Sequence, residues 1–237
     1  MLHAADHTTT PPFETEDLRT RLVAFLDTPF TPAEGEALKV GDYKWGVYAF
    51  FDYDGEPIYV GQTNEKLRTR IRRHLTNQRT DAVAMSVLDP FEVLEIEVWP
   101  LPQYQNTGGK DAAAKAHLNA LERVITRQAI EASHFKAILN EKDAPPGDTS
   151  VVPPKSHRAG IVSARVHAIR AHPDFRIARR AQVIARLAQV ISERKVQTGL
   201  RRVLLTQAKR LQWLAGRRFE AQQDTPSEQF SGFDDHE

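Results

Sequence analysis

Cysteine is absent from all 237 residues, so neither disulfides nor thiolate metal sites can form, and any bound metal must sit on oxygen or imidazole. Long hydrophobic runs are missing too. No stretch of about 18 apolar residues occurs, which argues against a membrane-spanning helix. Met1 to Phe13 is polar and contains prolines, without the charged-then-apolar order of a secretory signal. The expectation is a cytoplasmic (intracellular) protein with no membrane partner. Net charge is also nearly lacking, at +1, yet this balance hides two opposed regions. Residues 1–150 hold 16 Lys/Arg against 23 Asp/Glu, or −7, and residues 151–220 hold 16 against 3, or +13. The last seventeen residues carry five acids and no base. Such segregation points to a polyanion as partner of the second region.

Residues 1–13 read as a disordered N-terminus. From Glu14 to Leu26, Leu18, Leu22, Val23, Phe25 and Leu26 recur near helical spacing. Residues 28–44, with two prolines and two glycines, read as loop. Trp45 to Phe51 and Pro57 to Gly61 are rich in aromatic and β-branched residues, and Asp52-Tyr53-Asp54-Gly55 between them is turn chemistry, so a β-hairpin is predicted. Leu67, Ile71 and Leu75 recur every fourth residue between Glu65 and Gln78 among six basic positions, the pattern of a helix with a basic face. Alternation in Phe91 to Trp99 predicts a third strand, with Glu95 and Glu97 on its outer face. Asp111 to about Ala132 is alanine-rich and helical, and Ile138 to Asn140 is a short extended piece.

Five breakers between Lys142 and Ser156 mark a boundary. The expected organisation is a catalytic domain over 14–142, a proline-rich linker at 143–157, a basic all-helical region at 158–220 and an acidic flexible tail at 221–237. The fold class expected is α/β (α+β), a small three-stranded mixed sheet flanked by helices.

The chemistry-bearing residues form an ordered set: Gly46-Val47-Tyr48, Tyr59-Val60-Gly61, Arg70, His74, Glu122 and Asn140. The set resembles the signature of the GIY-YIG nuclease family over about Trp45 to Asn140. In that family the two tripeptides lie on the first two strands, the Arg and His one turn apart on the first helix, the Glu on a later helix and the Asn just beyond it. The interval from Gly61 to Arg70 is one residue longer than the commonest spacing. Aligning Leu67 and Ile71 on the apolar stripe selects Arg70 over Arg68. The interval from Glu122 to Asn140 is long as well.

The resemblance implies hydrolysis of DNA phosphodiesters with one divalent ion, Mg²⁺ or Mn²⁺, and Glu122 as its ligand. A single carboxylate suits a hard ion that keeps several waters. Arg70 offers a guanidinium fork to the scissile phosphate, which Lys would not reproduce. His74 lies one turn along on the same face. Tyr48 or Tyr59 would act on the attacking water, Tyr48 being preferred as general base and Tyr59 as the alternative or orienting partner. Taken singly, these residues have blander readings: strand tyrosines usually pack, a basic helix face is usually solvated, and Asn140 could simply cap the chain. His117 and His134 are too far apart in sequence, and too short of partners, to read as a metal site.

Arg68, Arg72 and Arg73 on the first basic helix, and Arg176, Arg179, Arg180, Arg201, Arg202, Lys209 and Arg210 behind the linker, are the candidate nucleic-acid contacts, with double-stranded DNA as partner. The competing reading pairs these cations with acids of the catalytic domain or with the second subunit of a homodimer. A restriction or phage-defence nuclease is the preferred role. The alternatives are a catalytically inactive nucleic-acid-binding protein, or a DNA-repair or RNA-cleaving nuclease of the same family.

Overall fold

The computed structural model describes residues 13–33, 35–76, 87–145, 148–193 and 195–223. The expected disordered N-terminus up to residue 12, the last residues of the first basic helix at 77–78, positions 146–147 of the linker, Arg194 and the tail from 224 lie outside the described residues.

The chain opens with α1 (Phe13–Asp27), which buries Leu18, Leu22, Phe25 and Leu26. The expected loop at 28–44 holds a two-residue antiparallel pair, β1 (Pro29–Phe30) with β2 (Leu38–Lys39), and a 3-10 turn at Val40–Asp42. The predicted hairpin follows as β3 (Gly46–Phe51) and β4 (Pro57–Thr63), pairing Tyr48 with Gly61 and Phe50 with Tyr59. Helix α2 (Leu67–Leu75) buries the stripe Leu67, Ile71 and Leu75. The third strand, β5 (Glu95–Pro100), starts later than its alternation suggested, because Pro90–Glu92 forms a 3-10 turn capped by the Asp89 carboxylate. Helix α3 (Ala112–Ala132) begins where Asp111 accepts a hydrogen bond from the Ala114 N–H at 2.8 Å.

Two expectations fail at the sheet. It has four strands in the order β4-β3-β5-β6, and every pairing is antiparallel rather than mixed. The fourth strand, β6 (His157–Gly160), comes from the chain after the proline-rich segment, so the region behind it is not wholly helical. Extended residues between two prolines and a helix found a vacant sheet edge, which sequence periodicity over four residues could not reveal. Three helices follow: α4 (Ala164–Arg170), capped by Ser163, α5 (Pro173–Glu193) and α6 (Thr198–Gln223).

The sheet separates two apolar layers. On one side Tyr48, Phe50, Ile58, Ile96 and Val98 join α1, α2 and, from the far end of the chain, Leu187, Leu200 and Val203. On the other, Val47, Ala49, Val60 and Trp99 pack on Leu118, Leu121 and Ile125 of α3. Leu187, Leu200 and Val203 of the C-terminal helices therefore share a core with the four-stranded sheet.

Candidate active site

Strand β4 is an edge strand, and an exposed edge would leave its polar backbone unpaired. The segment after α3 finishes it. Leu139 N–H donates to the Ile58 carbonyl at 2.8 Å, while Asn140 donates through Nδ2 to the Val60 carbonyl at 2.7 Å and accepts from the Val60 N–H at 3.1 Å. Asn140 thus mimics a strand residue with its side chain. This brings residues 140–145 across from α2 and closes one wall of a cleft.

That cleft has a volume of about 410 Å³, and Tyr59, Gly61, Gln62, Arg70, His74, Glu122 and Asn140 are among its lining residues. Arg70 and His74 reach it from α2, Glu122 from α3 and Tyr59 from β4. Tyr48 does not line it. Its ring is fully buried, and its hydroxyl accepts a hydrogen bond from Arg70 Nε at 3.3 Å beneath Gly61. The glycine is required here. A Cβ at Gly61 would lie 2.6 Å from the Tyr48 hydroxyl oxygen, and one at Gly46 would lie 2.9 Å from the Trp99 carbonyl oxygen. Both motif glycines are thereby explained by close approach. Tyr59 packs against His74 with ring centroids 5.1 Å apart and stacks on Phe50 at 5.6 Å.

The electrostatics set Glu122 apart. The residue is only 8 % exposed, and its carboxylate makes no hydrogen bond to any described residue. Burial pushes the carboxyl up to about 7 against the opposing pull of the Arg70 guanidinium. Burial also raises the Tyr48 phenol well above its usual value, with Tyr59 adding to the rise and Arg70 opposing it. Among the described residues no three His, Asp or Glu side chains are grouped as a metal site. One buried, unpaired carboxylate facing an open cleft fits a hard cation that completes its shell with water and substrate oxygens.

The candidate nucleic-acid contacts divide sharply. Arg180 and Arg210 are 1 % and 2 % exposed. Arg180 binds Asp52 at 2.9 Å and Glu92 at 2.9 Å, Arg210 shares Asp52, and Arg176 is held by Asp54. Arg179 forks onto Asp89 at 2.6 and 2.8 Å. Arg176, Arg180 and Arg210 are buried on these carboxylates and Arg179 is half-buried on its own, and their partners are acids of the hairpin turn and of the segment preceding β5. Arg68 points away from the cleft to Asp27 at 2.6 Å, Arg73 pairs with Glu65 at 2.9 Å and Arg202 with Asp143 at 2.8 Å on the surface. Arg72, Arg201 and Lys209 remain exposed with no ion-pair partner among the described residues. A count of charge along the chain could not distinguish a cation that meets phosphate from one that meets a buried carboxylate. The only hint was the complementary −7 of the first 150 residues.

Of the two singled-out histidines, His117 hydrogen-bonds the Tyr104 hydroxyl at 3.0 Å through Nδ1, and His134 packs on Phe135 and Trp213. Neither reaches the cleft. Sequence reasoning missed Gln62, which lines the cleft and donates to Asn119 at 2.9 Å.

Residues 44–106 match the family model of the GIY-YIG catalytic domain. Tyr48, Tyr59, Arg70 and His74 fall inside that match, while Glu122 and Asn140 lie beyond it. No curated protein and no solved structure matches the chain. No described helix is long and apolar enough to cross a membrane.

Proposed function

From the premise that the chain carries a GIY-YIG catalytic domain at residues 44–106, we propose that it is a divalent-metal-dependent endonuclease hydrolysing phosphodiester bonds of double-stranded DNA. The observation that carries this reading is Glu122, a buried carboxylate without a hydrogen-bond partner among the described residues, sharing one cleft with Arg70. A structural carboxylate at that depth would be paired.

Glu122 would hold the ion, Mg²⁺ or Mn²⁺, which would neutralise the phosphate and make a water acidic enough to attack. Arg70 meets the non-bridging oxygens and gathers the charge that builds on phosphorus in the transition state. Tyr48 positions that guanidinium through its Nε and holds it from below the sheet surface. Tyr59 reaches the cleft where Tyr48 does not, so Tyr59 is the hydroxyl that orients the attacking water and passes its proton toward the adjacent His74. An ordinary phenol is almost fully protonated at neutral pH, so it acts here as a relay. Asn140 holds the cleft wall in register with β4.

The test is nicking of supercoiled plasmid with Mg²⁺ and with chelator, by the full chain and by Glu122→Ala. Metal-dependent nicking that Glu122→Ala loses while still binding DNA supports the reading, and equal nicking by both proteins would refute it. Cleavage of RNA but not DNA would transfer the same chemistry to the other polymer. A restriction or defence role is the biological setting we propose, testable by survival of phage challenge with and without an intact Glu122.

A further inference from the structure

A second cavity, of about 380 Å³, opens beside the first and is lined by Gln62, Thr63, Asn64, Glu65, Arg70, Lys115, Leu118 and Asn119. Gln62 and Arg70 line both cavities. Together they form one groove, with Arg70 at the junction.

One face of α3 lines this groove. Lys115, Asn119 and Glu122 follow one another at intervals of four and three residues, which stacks them along a single helical stripe. At 1.5 Å per residue, Lys115 stands about 10 Å along the helix from Glu122. The floor between them is the Gln62 to Asn119 hydrogen bond, 2.9 Å, which ties β4 to α3. Gln62 leaves its Oε1 buried with no partner among the described residues. The far rim is fixed by Asn64, which donates to the Gly109 carbonyl at 3.0 Å. The one acid there, Glu65, is already engaged by Arg73 at 2.9 Å.

Lys115 differs from most of the cations considered as DNA contacts. Arg68, Arg73, Arg176, Arg179, Arg180, Arg202 and Arg210 each sit on a carboxylate. Lys115 is exposed, lines the groove and has no ion-pair partner among the described residues. We propose that this second cavity is a subsite for a phosphodiester flanking the cleaved bond, with the Lys115 ammonium as its counter-charge. The proposal rests on the nuclease reading, since it takes the scissile phosphate to sit between Arg70 and Glu122. The strand then crosses Arg70 and runs along α3 toward its N-terminal end. A mobile ammonium is suited to a phosphate that must be held during the reaction yet released after it.

The experiment measures binding of the full chain to a short DNA duplex by fluorescence anisotropy over a salt series, with Ca²⁺ present. Wild type, Lys115→Gln and Lys115→Arg are compared, and the cleaved bond is mapped separately in Mg²⁺. Loss of one phosphate contact should reduce the slope of log affinity on log salt by about 0.9 in Lys115→Gln, with Lys115→Arg close to wild type. A duplex carrying one neutral methylphosphonate beside the cleaved bond should bind several-fold more weakly than the native duplex to wild type but equally to Lys115→Gln. The cleavage KM should rise several-fold in Lys115→Gln with kcat unchanged. An unchanged salt slope with the same methylphosphonate penalty in both proteins would overturn the subsite. If wild type cleaves nothing, the nuclease reading fails, whereas the salt slope still decides by itself whether Lys115 meets a phosphate.

Discussion

Burial of Glu122 costs the fold stability in the ionised form that the proposed metal site requires. Its carboxyl is raised from 4.5 to about 7 by burial, so the folded state favours the neutral acid. The stability it contributes is complete below its unfolded value and is lost as pH rises through about 7. The gap corresponds to roughly 3 kcal/mol. We therefore expect Glu122→Gln, in chelator, to match wild type in thermal stability near pH 4 and to exceed it clearly at pH 8, while losing metal-dependent cleavage at every pH. A stability difference that does not vary with pH would show that the carboxylate is not buried as described. The tyrosines separate by exposure in the same way. Tyr59→Phe should lower the cleavage rate by about two orders of magnitude, as expected when proton-transfer assistance is removed. Tyr48→Phe should lower it less and raise the sensitivity of the rate to Arg70→Lys, because its hydroxyl serves the guanidinium. Single-turnover rates of the two variants decide the assignment, and a severe Tyr48→Phe with a near-silent Tyr59→Phe would exchange the roles.

At the scale of elements, the β3 to β4 turn carries more than its turn chemistry. Asp52 is 1 % exposed. Its Oδ1 accepts from the Asp54 and Glu56 N–H groups, at 2.8 and 3.0 Å. Its Oδ2 takes Arg180 of α5 and Arg210 of α6. The turn that joins the two motif strands is thus bolted to two helices more than a hundred residues away in sequence. Removing one member of such a buried set strands the others without water, at about 3–5 kcal/mol. We expect Asp52→Ala to lower the urea midpoint strongly with little change in the slope of the unfolding curve. A change under 1 kcal/mol would mean that the cluster is hydrated. Replacing the exposed Arg201 should instead leave stability within about 0.5 kcal/mol of wild type.

For the whole molecule, removing everything after residue 145 would delete β6, the contribution of Leu187, Leu200 and Val203 to the core that holds Tyr48 and Phe50, and the partners of Asp52, Asp54 and Glu92. We expect the 1–145 fragment to be insoluble or to lack cooperative unfolding by circular dichroism, and a cooperative, plasmid-nicking fragment would show that the helices are dispensable. Much was determined locally. The hairpin, the stripe of α2, the capped alanine-rich α3 and the order of Tyr48, Tyr59, Arg70, His74 and Glu122 all depend on short-range periodicity, turn residues and motif spacing, which the chain carries in its own order. Even the choice of Arg70 rests on a four-residue apolar stripe. Only the tertiary structure decided that β6 completes the sheet, that Tyr48 lies beneath Gly61 while Tyr59 opens on the cleft, and that Arg176, Arg179, Arg180 and Arg210 meet carboxylates instead of phosphates. The reason is physical: a charge in a sequence has a sign but no partner, and its partner is settled by desolvation and packing between segments far apart in the chain.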